Sequence, residues 1–129
     1  MSLRGRLKSR PACKGIYLNL NENLRRLLLI IVKVTFQIPR DLDLAKLKGK
    51  FEETAPIYRD TKGLIRKNYI CDLDKSIGGG IYCFESRQDA DNWFDDARIE
   101  WLTNRYSKPD IEYFENPVIV DNVAGEILA

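Results

Sequence analysis

The chain has 129 residues, 44% hydrophobic and 31% charged, which is one domain's length with enough apolar material for a core. It contains no histidine, so the commonest general base, the commonest metal ligand and the usual partner of a Ser or Cys nucleophile are all missing. Cys13, Cys71 and Cys83 form an odd set without C-x-x-C spacing, which argues against a disulfide framework or a zinc site and fits a reducing, cytoplasmic setting.

The net charge of +2 hides an asymmetry. Residues 1–26 hold seven bases against the single acid Glu22, while the remaining 103 residues hold 14 bases and 18 acids. The basic start has three readings: a mitochondrial transit peptide, a phosphate-binding arm, or an extension without a role. Within it, Lys14 to Leu20 has the length of a short strand. The acidic balance of residues 27–129 argues against nucleic acid as a partner, because phosphate affinity comes from clustered Lys and Arg. No apolar run approaches the roughly 20 residues of a membrane span.

Arg26 to Ile38 reads as the first strand, with Val32, Val34, Phe36 and Ile38 on one face and Lys33, Thr35 and Gln37 on the other. Pro39 ends it. Asp41 or Asp43 offers an N-cap for a helix to about Tyr58, whose apolar stripe is Leu44, Leu47, Phe51, Ala55 and Tyr58. Pro56 is expected to kink or end that helix near its last turn. Leu64 to Cys71 and Ser76 to Glu85 read as a hairpin around the turn Asp72 to Lys75. A two- or four-residue loop puts Tyr69 opposite Gly78 and Lys67 opposite Gly80, and a three-residue loop shifts this by one. Gly78-Gly79-Gly80 lacks the Lys-Ser/Thr of a phosphate loop and reads as a bulge or a close backbone approach. Cys71 and Cys83 fall at opposite ends of the hairpin, too far apart to be bridged.

Ser86, with Asp89 three residues on, caps a second helix to about Tyr106, with an inner stripe of Ala90, Trp93, Phe94, Ala97 and Trp101. Its acidic pair Asp95 and Asp96 reads as solvated. Ile111 to Phe114 is a fourth strand, and Val118 to Val123 a fifth strand or an arm before a frayed end. The order strand, helix, hairpin, helix, strand is that of the α+β ferredoxin-like fold, β-α-β-β-α-β, with both helices on one face of an antiparallel sheet. The other face is half apolar, and pairing with a second copy would cover it, so a homodimer is expected. RNA-recognition modules share this element order, but glycine and isoleucine stand in IGGGIYCF where stacking aromatics belong.

The stretches Phe51 to Asp72, Gly78 to Phe94 and Ile111 to Asn122 together resemble the dimeric α+β barrel superfamily, in particular its branch related to antibiotic-biosynthesis monooxygenases. The resemblance covers about Ile31 to Glu126. It implies two ferredoxin-like subunits whose sheets pair into a barrel. It also implies oxidation of a small aromatic or polyketide-like substrate by O2 with no metal or other cofactor, the substrate supplying the electron once deprotonated. A non-catalytic module of the same fold that holds a small ligand is the alternative.

On that implication, Tyr58, Tyr82, Trp93 and Trp101 are the expected substrate-binding aromatics. Arg66 is the expected stabiliser of an enolate or phenolate, Asn68 the group that orients a substrate hydroxyl, and Tyr69 a proton donor or acceptor. Core packing competes for Tyr82 and Trp93, and a surface or interface ion pair for Arg66. Lys67 carries the same two readings as Arg66. Cys71 and Cys83 read as small hydrophobes.

Overall fold

A computed structural model describes residues 29–129. The readings of the basic segment, of Lys14 to Leu20 and of a strand beginning at Arg26 lie outside the described residues.

Alternation builds the first element. In β1, Ile30–Gln37, the side chains of Ile30, Val32, Val34 and Phe36 are buried while Lys33 and Gln37 are exposed. The helix α1, Leu44–Arg59, starts at Asp43, whose carboxylate accepts the Lys46 N–H at 2.8 Å. Its inner stripe is Leu47, Phe51, Thr54 and Tyr58; Ala55 is exposed, so the stripe turns through Thr54 instead. The helix ends at Arg59, three residues past Pro56, so the proline sits in its last turn as expected. A proline in the final turn removes one hydrogen bond where few residues remain to be held.

The hairpin joins β2, Leu64–Asp72, to β3, Ile77–Phe84. Tyr69 pairs with Gly80 and Lys67 with Tyr82, two residues from the pairing expected of a loop over Asp72 to Lys75. The loop is Leu73–Ser76, one position later. Asp72 accepts the Lys75 N–H, Ser76 donates to the Leu73 carbonyl at 3.2 Å, and Ser76 takes φ 54°. That left-handed residue lets the ladder begin only at Ile77. A slip of two keeps every side chain on its expected face.

The second helical segment is two helices, α2, Arg87–Trp93, and α3, Asp96–Arg105. Ser86 caps α2 as expected, accepting the Asp89 N–H at 3.1 Å. The break follows from Asp95, whose carboxylate accepts the Arg98 N–H at 2.8 Å and starts a new helix. The turn rotates Ala97 out to solvent. Arg105 ties the end of α3 to α1 through the Lys50 carbonyl at 2.8 Å and Glu53 at 3.0 Å.

β4, Asp110–Glu115, completes a four-stranded antiparallel sheet in the order β2-β3-β1-β4. This is the ferredoxin-like arrangement, and the core lies between one sheet face and the helices. The end of the chain is not frayed. β5, Ile119–Asp121, pairs with β6, Glu126–Leu128, and Leu128 is buried. Asp121 holds the turn by accepting the N–H groups of Val123 and Ala124. This hairpin lies against the outer sheet face, with Ile119 and Leu128 facing Ile31 and Ile81 across a cavity of about 290 Å³.

Candidate functional site

β2 is an edge strand, so its alternation decides which side chains meet the helices. Lys67 and Tyr69, opposite Tyr82 and Gly80, fall on the helix side. Arg66 and Asn68, opposite Cys83 and Ile81, fall on the outer side. The expected trio of Arg66, Asn68 and Tyr69 is therefore divided between two faces. Asn68 lines the outer cavity beneath the C-terminal hairpin. Arg66 lines that cavity too, and it also borders a second one of about 260 Å³ at the sheet edge, together with Tyr58, Lys67 and Tyr69.

The helix side gathers what the sequence scattered. The Tyr58 ring, from α1, stands edge-on to Tyr69, Tyr82 and Trp93 at centroid distances of 6.1, 5.7 and 5.4 Å. Phe51 stacks on Tyr69 at 4.6 Å. Three of the four expected binding aromatics, Tyr58, Tyr82 and Trp93, thus pack in one cluster with Tyr69, a chamber whose open side is the edge cavity at Tyr58 and Tyr69. Trp101 is joined to them through Arg98, whose guanidinium lies 4.0 Å over Trp93 and 4.9 Å over Trp101. Between α1 and β2, a further cavity of about 400 Å³ runs from Leu47 and Phe51 past Tyr69 to Cys71.

Lys67 occupies the middle of the tyrosines. Its Nζ lies 3.4 Å from the Tyr58 ring centroid, 3.8 Å from that of Tyr69 and 4.7 Å from that of Tyr82. Among the described residues it forms no ion pair; the three present are Lys33 with Glu112, Arg87 with Asp91, and Arg105 with Glu53. Burial, with a smaller push from the Arg98 charge, brings its pKa down to about 6. Ring faces ease a cation but do not replace water or a carboxylate. The amine therefore rests largely neutral at pH 7.

The hydroxyls behave oppositely. Thr54 donates to the Phe51 carbonyl at 3.0 Å, which leaves its oxygen to accept from Tyr69 at 2.7 Å. Burial pushes Tyr69 up to about 12. Burial also raises Tyr58, and holds Tyr82 well above its ordinary value. Tyr82 reaches the Tyr58 oxygen at 3.5 Å, the outer limit of a hydrogen bond. The buried indole N–H of Trp93 has no acceptor among the described residues. The wall of the chamber therefore offers one unpaired donor, the Trp93 indole N–H, and the Lys67 amine, with no carboxylate in ion-pair range of Lys67 among the described residues.

The glycines explain how a lysine fits here. A Cβ at Gly80 would stand 2.9 Å from Lys67 Cε and 3.1 Å from the Tyr82 ring. At Gly79 it would run into the Val34 carbonyl of the neighbouring strand. The close-approach reading of the glycines holds, whereas the register irregularity sits in β2, between Leu64 and Arg66. Cys71 and Cys83 pair with Gly78 and Arg66, at opposite ends of the hairpin, and no disulfide joins them. Among the described residues no three His, Cys, Asp or Glu side chains come together as a metal-binding group, and no helix is long and apolar enough to cross a membrane.

No protein-family model matches the chain, and no curated protein matches it in sequence. Solved structures match it in fold. A conserved protein from Methanosarcina mazei Go1 superposes with a TM-score of 0.55 at 13% identity, over 72% of this chain and 97% of the other. The monooxygenase ActVA-Orf6 of Streptomyces coelicolor, solved with the ligand nanaomycin D, gives 0.53 at 18% identity, over 74% and 93%. A mutant of SnoaB, a cofactor-independent oxygenase from Streptomyces nogalater, gives 0.50 at 13% identity, over 67% and 90%. These matches, all below 25% identity, show that the chain shares the α+β fold of those structures.

Proposed function

We propose, from a chain that has the subunit fold of a dimeric α+β barrel, that it is a cofactor-independent monooxygenase acting with O2 on a small aromatic or polyketide-like substrate. The aromatic chamber around Lys67 carries this reading. Flat rings of Tyr58, Tyr69, Tyr82 and Trp93 suit a planar ligand, and the unpaired Trp93 N–H suits an oxygen on it. That two structures of the same fold bear the names of a monooxygenase and a cofactor-independent oxygenase supports the reaction class.

In this reading the substrate enters beside Arg66 at the open edge of β2. Tyr69 is fixed by Thr54 and orients the substrate. Trp101 and Trp93 clamp Arg98, which holds positive charge near the chamber for the deprotonated substrate. Asn68 belongs to the outer face, where we place the partner subunit of a homodimer.

The test is purified protein incubated under O2 with a panel of dihydroxynaphthalenes and anthrones. The expected result is quinone formed faster than without protein, and lost when Tyr58 and Trp93 are replaced by alanine. Ligand-induced thermal shifts with no turnover across the panel would instead identify a non-catalytic ligand-binding module.

A further inference from the structure

An amine drawn in among aromatic rings usually answers an acid, and the half-buried Lys67 pairs with none among the described residues. The groups facing its Nζ are the rings of Tyr58 from α1, Tyr69 from β2 and Tyr82 from β3; burial, and then the Arg98 charge from α3, disfavour its protonated form. Among these side chains the tyrosines hold their protons more firmly than free phenols do. Lys67 alone of the four presents a lone pair near neutral pH. The glycine at position 80 keeps the track of its side chain open. The cavity at the β2 edge brings solvent-side space to the amine, and at about 260 Å³ it suits a small ring system, since drug-sized ligands take ~300–1,000 Å³.

We propose that Lys67 Nζ is the proton acceptor of this chamber, taking the proton of a hydroxyaromatic ligand. The O–H bond breaks with its electron pair left on oxygen, and the N–H bond forms from the amine lone pair. No co-reactant is needed. The product is an ammonium–phenolate pair, and the phenolate is the counter-ion that the fold withholds. Each member of the pair removes the other's burial penalty, so the amine's proton affinity rises as the ligand's falls. Arg98 favours the same anion. This assignment deepens the monooxygenase reading, because the chamber must hold a hydroxyaromatic, and it supplies the deprotonation step that Tyr69 is too weakly acidic to reverse at neutral pH.

The experiment uses the full-length protein with 1-naphthol as the probe, whose naphtholate has a separate absorption band, and no turnover is needed. The wild type should bind 1-naphthol with its apparent pKa lowered by about two units, a ~100-fold gain in ionisation. Lys67→Met replaces an unpaired amine with an apolar chain of similar length and should fold at least as well. It should bind the probe within about threefold of wild type, but as neutral naphthol. An equal naphtholate signal in the variant overturns the proposal, as does neutral naphthol in the wild type. Absence of binding by either protein overturns both the proposal and the chamber as a ligand site. Naphtholate without oxygenation across the panel upholds the proton acceptor and removes the monooxygenase.

Discussion

Burying Lys67 without a carboxylate fixes the sign of the protein's response to pH. Its folded pKa, about 6, lies below the ordinary 10.5. Below pH 6 both folded and unfolded chains carry the proton and the full penalty is present. Between 6 and 10.5 the unfolded chain binds more protons, so stability climbs with pH, by at most about 1.4 kcal/mol per unit for this one group. The chain has no histidine to add a slope of its own in the neutral range. Chemical denaturation from pH 6.5 to 8 should therefore show stability rising in the wild type. Lys67→Met should be more stable by about 1–3 kcal/mol at pH 7 and should lose most of the rise. Equal slopes in the two proteins would mean that the amine is hydrated. This residue was only half visible in the sequence. LIRKNYIC reads as a strand with cations on both faces, and Arg66 and Lys67 looked alike. What separates them is parity, since Lys67 shares a face with Tyr69 and the paired Tyr82, and Arg66 does not.

At the scale of elements, hydrophobic alternation placed β1 and both hairpin strands correctly, because a period of two needs no tertiary information. The misread element boundaries lie where a polar side chain takes over the backbone. Asp95 looked like one charge on the outside of a long helix and is the cap that divides it. Ser76 looked like the first residue of β3 and is the left-handed end of the turn. Gly125 and the residues after it read as a fraying end, but Asp121 and Gly125 turn the chain into a hairpin, with Gly125 at φ 73°. The Asp95 cap has a consequence at the chamber, because Arg98, which lies over Trp93, is the residue it anchors. Asp95→Ala should cost about 1 kcal/mol of stability. It should also change the near-ultraviolet circular dichroism of the tryptophans, while Asp96→Ala, one residue on, should do neither. Matching spectra for the two variants would detach the cap from the chamber.

The whole molecule presents two unlike sheet faces. The helix side packs over aromatic rings and opens at the β2 edge. The outer side carries the Lys33–Glu112 pair and the C-terminal hairpin, whose Val120 and Ile127 are 62% and 72% exposed and directly opposite each other. Phe114 and Val118 are exposed as well. Apolar groups gathered on one face mark an interface, and a second copy of the chain is the expected occupant. Sedimentation at micromolar concentration should give twice the 15.0 kDa chain mass, and Val120→Asp with Ile127→Asp should halve it while leaving the far-ultraviolet spectrum unchanged. A monomeric wild type would remove the homodimer. Two unlike faces were legible in the sequence, but the division of Arg66, Asn68 and Tyr69 between them was not, because the three are neighbours in the chain and only the pleat parts them.

The central claim is that a small aromatic ligand binds among Tyr58, Lys67, Tyr69, Tyr82 and Trp93, on the helix side of the sheet. Nitrogen-detected NMR on the labelled full-length protein decides it most directly, using two well-separated reporters. One is the indole N–H of Trp93, assigned by a Trp93→Phe variant. The other is the side-chain amide of Asn68 on the outer face, assigned by Asn68→Ser. Titration with 1-naphthol should shift the Trp93 indole strongly as it gains an acceptor and leave the Asn68 amide in place. A shifting Asn68 amide with an unmoved Trp93 indole would contradict the account and put the ligand under the C-terminal hairpin.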